Sequence, residues 1–137
     1  MTQSKLLLFA ALIAASVVGV RAARPQTPQQ DITRTEILKV PLSGLEGLEG
    51  IVYVADVPPG AVAARHTHPG YEFNYVLAGS ILIEPDGEKP FTLTPGQATF
   101  LPRGHIHKVS NASAVEPAKV LTFLIHEMGK PLAVPAP

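Results

Sequence analysis

The chain contains no cysteine, which excludes a disulfide scaffold and thiol-based metal or redox chemistry. It also lacks an excess of either charge, since its 137 residues include eleven basic and eleven acidic side chains. We therefore expect no nucleic-acid partner, because such proteins carry a basic surface. Beyond the N-terminal region the chain has no segment of helical hydrophobic periodicity. Its stability must come from a core built of strands.

The N-terminal residues 1–22 have the features of a signal peptide. Lys5 precedes an apolar or small run from Leu6 to Val20, and Val20-Arg21-Ala22 fits the pattern before a cleavage site. The run is shorter than the ~20 apolar residues that span a bilayer. We predict cleavage near Ala22, with an uncleaved N-terminal membrane anchor as the alternative. Both outcomes place the folded part outside the cytoplasm, either periplasmic or secreted.

The remaining chain divides into a Pro/Gln-rich linker at residues 23–34, a domain at residues 35–128 and a C-terminal tail at residues 129–137. The domain consists of about nine short apolar runs separated by turn residues. Asp86-Gly87, between SILIEP and KPFTLT, is a hairpin signal. Regular short runs of this kind are typical of an all-β sandwich or barrel.

The segment RHTHPGYEF concentrates metal-binding side chains around a turn. His66 and His68 are two residues apart on a strand and therefore project from the same face. Pro69-Gly70 reverses the chain, so Glu72 begins a neighbouring strand and can face the same pair. Neutral imidazoles and a carboxylate suit Zn²⁺, Fe²⁺, Mn²⁺, Ni²⁺ or Cu²⁺. An isolated His-x-His is more often a solvated strand face, so the metal site depends on a further ligand.

A further ligand is available in GQATFLPRGHIHKVSN, which carries a second His-x-His behind a Pro-x-Gly turn. Together the two segments resemble the two sequence motifs of the cupin family. The positions that match the first motif are Gly60, His66, His68, Glu72 and Gly79, and those that match the second are Gly96, Pro102, Gly104, His107 and Asn111. The resemblance covers residues from about 35 to 128.

The resemblance implies a double-stranded β-helix, or jelly roll, of two sheets. It also implies a divalent transition metal, of unknown identity, held by His66, His68, Glu72 and His107. Such a ligand set leaves coordination positions open, as a catalytic metal requires. The four motif glycines are expected at turns, where a positive φ or tight packing is needed.

Three side chains near the motifs are candidate catalytic residues. Asn74 shares strand parity with Glu72 and should face the interior, where it could orient Glu72 or a substrate. Tyr71 lies in the turn and either covers the metal or is exposed. We expect His105 at the surface or at the pocket rim, although a ligand or proton shuttle is an alternative role.

Strand parity also predicts where the surrounding side chains lie. An apolar cavity would form if four side chains point inward, namely Val76, Ile83, Ala98 and Phe100. Side chains that point to the opposite face from Glu72 should pack between elements, and these are Phe73, Tyr75 and Leu77. Three more side chains are expected away from the site, namely Arg65, Arg103 and His126, the last of them at the surface.

Three classes of function remain open at this stage. An open-sited metal could support dioxygenase chemistry on a small organic substrate, or act as a Lewis acid in an isomerase or lyase of a sugar or keto acid. The third class is a non-catalytic cupin that binds a small ligand or metal. Few polar candidates are placed for acid/base work, which favours oxidative chemistry. A homodimer through the strands IVYVADV or VLTFLIHE is possible, and so is a monomer.

Overall fold

A computed structural model of the chain describes residues 31–137. The predicted signal peptide, residues 1–22, and most of the linker lie outside the described residues, so the cleavage site stays a prediction. The described part forms ten strands: β1 Thr33–Pro41, β2 Leu48–Val57, β3 Val62–Thr67, β4 Gly70–Ala78, β5 Ile81–Pro85, β6 Phe91–Leu93, β7 Ala98–Leu101, β8 His107–Asn111, β9 Ala118–Glu127 and β10 Val134–Pro135. Within residues 31–137 no helix is long and apolar enough to cross a membrane.

The strands form two five-stranded antiparallel sheets with the orders β1-β2-β9-β4-β7 and β10-β3-β8-β5-β6. This is the predicted jelly roll, in which sheets enclose a core between their inner faces. The hairpin predicted at Asp86-Gly87 is confirmed, because β5 and β6 pair with Ile83 opposite Phe91. Unlike the sequence prediction, the structure has a strand in the C-terminal tail, β10, which pairs with β3.

Alternation along the strands separates the core from the solvent face. In β4 the side chains of Glu72, Asn74 and Val76 are buried, as predicted, and their neighbours are exposed. In β2 the buried side chains include Ile51, Tyr53, Ala55 and Val57, and these belong to a core cluster that also contains Ala61, Val76, Ile81, Ile83, Leu93, Ala118, Val120 and Leu124. The core therefore lies between the two sheets.

The prediction that Phe73, Tyr75 and Leu77 pack between elements was wrong. Their exposed fractions are 39%, 43% and 43%, because no described element covers the outer face of the sheet that contains β4. Ala98 and Phe100 of β7 are also exposed rather than inward, since each pairs with an outward residue of β4. The sequence pattern correctly predicted which side chains of β4 point inward and which point outward. The error was to assume that another element packs on the outward side chains.

The turn between β3 and β4 depends on a glycine with no room for a side chain. A Cβ on Gly70 would lie 2.3 Å from the carbonyl oxygen of Ile125 and 2.8 Å from Cα of His126. Both are backbone atoms of β9, to which β4 is paired, so neither can move without disturbing the sheet. Gly70 therefore lets β4 approach β9 closely, next to the residues of the RHTHPGYEF segment.

We expect Gly70→Ala to lower the free energy of unfolding by about 1–3 kcal/mol, the usual cost of forcing an extra methyl group into packed structure. Chemical denaturation measures this change. Gly50→Ala is the matched control, because that Cβ would meet only side-chain atoms of Leu42 and Phe123, at 3.4 Å. Equal losses in the two variants would contradict the steric explanation.

Candidate metal centre

The predicted metal ligands come from three strands that meet at one end of the sandwich. His66 lies in β3 and His68 directly follows it, Glu72 lies in β4, and His107 begins β8. β3 pairs with β8 so that His66 stands opposite His107. The pairing brings together two motifs that are far apart in the sequence.

The side chains of these residues converge on one point. Ligand atoms of His66, His68 and His107 all lie within 4.8 Å of one another. The Oε2 atom of Glu72 is 3.4 Å from Nε2 of His68 and 3.3 Å from Nε2 of His107. All four side chains are buried. The sequence-predicted set is therefore brought together in the fold.

Backbone carbonyls orient the three imidazoles. The Nδ1 atom of His66 donates to the Ala64 carbonyl at 2.7 Å, and that of His107 to the His105 carbonyl at 3.1 Å. The Nδ1 atom of His68 donates to the Leu132 carbonyl at 2.6 Å. With Nδ1 holding the hydrogen, the lone pair of each Nε2 is directed away from these carbonyls and is available to a metal ion.

The donor atoms at the centre fit a divalent cation. Nε2 of His68, Nε2 of His107 and Oε2 of Glu72 are buried and have no hydrogen-bond partner among the described residues. Buried polar atoms nearly always have partners, and leaving them unsatisfied is costly. Three imidazole nitrogens and a carboxylate are suitable ligands for the first-row transition metals. The three buried histidines could therefore hold a metal ion, with Glu72 beside them.

Burial and close neighbours shift the pKa values of all four candidate ligands. Burial lowers the pKa of His66 and of His68, so both imidazoles are neutral and ready to coordinate. Burial opposes charge on Glu72 as well, but the nearby imidazoles of His107 and His68 outweigh it and hold the Glu72 pKa below its usual range. The pKa of His107 is raised despite burial, because the Glu72 carboxylate 3.3 Å away favours its charged form. A metal ion would have to displace the extra proton of that form, since coordination requires neutral imidazole.

The structure separates the three candidate catalytic residues. Asn74 lines the interior, and its Oδ1 accepts a hydrogen bond from Thr122 at 2.7 Å. Tyr71 is exposed on the outer face, where it stacks on Phe100 instead of covering the site. His105 is half-buried and points toward Glu88, with 3.8 Å between Nε2 and Oε1. Only Asn74 is therefore placed beside the candidate metal ligands.

Among the side chains expected away from the site, two behave as predicted and one does not. Arg65 and Arg103 are exposed and pair with Asp86 and Glu127. The surface position predicted for His126 was wrong, because that side chain is only 1% exposed. Its Nε2 lies 3.1 Å from the Pro131 carbonyl, so the C-terminal segment folds over this end of β9.

A cavity of about 430 Å³, counted with its open mouth, lies between the sheets beside the histidines. Its wall is largely apolar, with polar groups contributed by Arg34, Tyr53, His66, Glu72, Asn74 and Thr122. Sequence reasoning missed Arg34, Tyr53 and Thr122. The alternation of IVYVADV could have identified Tyr53 as inward, whereas Arg34 lay in the segment assigned to the linker.

The fold and the histidine cluster define a small two-sheet β-sandwich with a candidate metal site. The cupin domain family matches residues 53–124, which is more than half of the chain. This protein belongs to the cupin family.

Individual relatives agree with this assignment. The chain is 39% identical over 80 residues to the beta-alanine degradation protein BauB of Pseudomonas aeruginosa, covering 56% of this chain and 83% of that protein. A cupin 2 domain-containing protein from Halorhodospira halophila superposes with a TM-score of 0.64 at 18% identity, covering 78% and 71% of the two chains. The DMSP lyase DddQ from Ruegeria pomeroyi superposes with a TM-score of 0.63 at 23% identity. That match covers 77% of this chain and about half, 51%, of the lyase, so it shows the fold alone.

The C-terminal segment should contribute to metal affinity because the Leu132 carbonyl orients His68. A chain ending at Lys130 loses this acceptor, and we expect its affinity for Co²⁺ to fall about 10- to 100-fold, as for other partners of metal-bound histidines. Competition with a chelating dye measures the affinity, and the visible spectrum of bound Co²⁺ reports the ligand geometry.

The matched control is a chain ending at Ala133, which loses β10 but keeps the Leu132 carbonyl. It should bind Co²⁺ nearly as the full chain does. If both truncated chains lose affinity equally, β10 pairing rather than the Leu132 carbonyl supports the site.

Proposed function

We propose that this cupin is an exported, metal-dependent oxidoreductase of the dioxygenase type that acts on a small organic molecule. One observation carries the proposal: the imidazoles of His66, His68 and His107 converge with the Glu72 carboxylate beside an apolar cavity. Because His66 and Glu72 line the cavity wall, a substrate in the cavity would lie next to an ion held by these side chains.

The roles of the surrounding residues follow from their positions. The four ligands would hold Fe, Mn, Zn, Ni or Cu, and a redox-active ion among these would supply electron transfer to O₂. Apolar walls limit the entry of water, which strengthens electrostatic interactions inside. Thr122 donates a hydrogen bond to Oδ1 of Asn74 at 2.7 Å, and this bond orients the Asn74 amide in the cavity wall that also contains Glu72.

Oxidative chemistry is favoured because the cavity offers little for proton transfer. His105 and Tyr71 lie away from its wall, and Glu72 is engaged with the histidines. Tyr53 lines the wall, but burial raises the pKa of its phenol to about 12. A phenol with such a pKa does not act as a base near neutral pH.

The second candidate is a metal-dependent lyase or isomerase, and Tyr53 is the observation in its favour. A neutral phenol can donate a proton or a hydrogen bond to a reacting oxygen. The fold is also found in a DMSP lyase, and the name of the relative BauB refers to the degradation of beta-alanine, a small organic acid. Non-catalytic binding of a small ligand or metal is the third candidate.

Export is part of the proposal and is supported by the sequence of residues 1–22. The positive charge of Lys5, the apolar run and the small residues before the predicted cleavage site are the three parts of a secretory signal. The mature domain would then act in the periplasm or outside the cell.

The metal site is tested by His66→Ala. Wild-type protein from its native compartment should hold close to one transition-metal ion per chain, and the variant far less, because a ligand is lost. Elemental analysis measures the metal content. His105→Ala is the matched control, since its imidazole lies outside the cluster and only its carbonyl contacts His107. Wild-type protein without metal, or a variant that keeps it, would contradict the site.

The reaction is tested by oxygen uptake with a panel of phenolics and keto acids. Dioxygenase chemistry predicts O₂ consumption by wild-type protein and its loss in His66→Ala. A full complement of zinc with no O₂ consumption would overturn the dioxygenase proposal, and turnover without O₂ would favour the lyase or isomerase.

We also propose that the chain forms a homodimer through its outer aromatic patch, which consists of Tyr71, Phe73, Tyr75, Phe100 and Phe123. These side chains are 36–49% exposed and lie on β4, β7 and β9. Phe73 contacts both other phenylalanines, with ring centroids 5.0 and 5.8 Å apart. The outward-facing side chains of β4 carry no charge, and an exposed apolar sheet face is suited to packing on its own copy across a two-fold axis.

Light scattering after size-exclusion chromatography should find a wild-type dimer. Phe73→Glu combined with Phe100→Glu should give a monomer, because the charges would be buried against their copies. Val115→Glu is the matched control, since Val115 is 77% exposed and lies outside the patch. A monomeric wild type would rule out this interface.

A further inference from the structure

We propose, resting on the function above, that the cavity selects a small organic anion and that Arg34 holds its carboxylate while the rest of the molecule faces His66 and Glu72. Arg34 is the one arginine or lysine among the cavity-lining side chains of residues 31–137. The proposal concerns the substrate class, which neither the metal ligands nor the fold specifies.

Strand pairing places Arg34 on the inner face of its sheet. β1 pairs with β2 in antiparallel register, and Arg34 stands opposite Ala55, which is buried in the core. Residues opposite each other on antiparallel strands share a face. The Arg34 side chain therefore starts toward the cavity, at the edge strand where the two sheets open to solvent.

The charge of Arg34 is not neutralised by the chain itself. Several cations of the described chain form ion pairs, among them Lys39, Arg65 and Lys119, whereas Arg34 forms none. Glu36 shares the inner face two residues along and stands opposite Tyr53, yet it makes no ion pair with Arg34. An anionic ligand would supply the missing counter-charge.

Tyr53 and Arg34 line the same cavity wall, and the Tyr53 side chain is 4% exposed. Because Arg34 forms no ion pair with the described chain, the N–H donors of its guanidinium are left for a ligand. The fork geometry of arginine matches a carboxylate with two parallel hydrogen bonds.

The cavity fixes the orientation of such an anion. Arg34 is the cationic side chain of the described cavity wall and would attract the carboxylate to the edge strand β1. The wall is otherwise largely apolar, with Ala55, Val57 and Val120 contributing to it. The uncharged end would then lie beside the candidate metal ligands.

The experiment compares butyrate with butyramide, which has the same shape and no charge. Binding is measured by ligand-observed NMR titration on protein freed of metal with EDTA, so that a metal ion cannot attract the carboxylate. We expect wild-type protein to bind butyrate about tenfold or more tightly than butyramide, as one charge-assisted contact supplies. Arg34→Gln should abolish this preference, and Arg34→Lys should restore part of it.

Lys119→Gln is the matched control, because Lys119 also lies on a strand of this sheet but pairs with Asp56 outside the cavity. It should keep the wild-type preference. Equal binding of the two ligands by wild type, or an undiminished preference in Arg34→Gln, would overturn the proposal. Metal content measured on each preparation before the EDTA treatment keeps the outcomes separate: lost butyrate preference with normal metal content leaves the proposed function standing.

Discussion

The antiparallel pairing of β3 with β8 is the interaction on which the candidate site depends. It places His66 opposite His107 and so joins the two motifs of the sequence across the sheet. β8 also pairs with β5 on its other side, which leaves His107 only 1% exposed. Backbone hydrogen bonds to both neighbours hold β8, and these bonds fix the backbone from which the His107 imidazole projects. The ligand geometry is thus a property of the sheet.

The same burial that orders the ligands makes unpartnered polar atoms costly at this site. Glu72 and His107 are both buried, and burial disfavours a charge on either side chain. Nε2 of His68 has no hydrogen-bond partner there at all among the described residues. These polar atoms do not stabilise the fold, which depends instead on the apolar core around Val76, Ile83 and Leu124. A bound cation would remove the penalty, which is a physical reason for so many buried donors.

Much of this arrangement could be predicted from local sequence patterns. The spacing of His66 and His68, the following turn and the alternation of β4 were sufficient to place Glu72 and Asn74 inside. Residue spacing within one strand does not show which other segments pack on that strand. The exposure of Phe73 and Phe100 and the burial of His126 were therefore not predicted. Each depends on elements distant in sequence: no described strand covers β4, and the C-terminal segment covers the end of β9.

The site divides into a part shared with the family and a part that belongs to the flanking strands. All four candidate ligands fall within residues 53–124, the range that matches the cupin domain. Arg34 of β1 and the Leu132 carbonyl lie outside that range, yet one faces the cavity and the other orients His68. The central strands therefore present the candidate ligands, while residues from the edges of the sandwich complete the surroundings of the site. Edge strands can change side chains without disturbing the ligand-bearing pairs, which explains physically how one fold accepts many substrates.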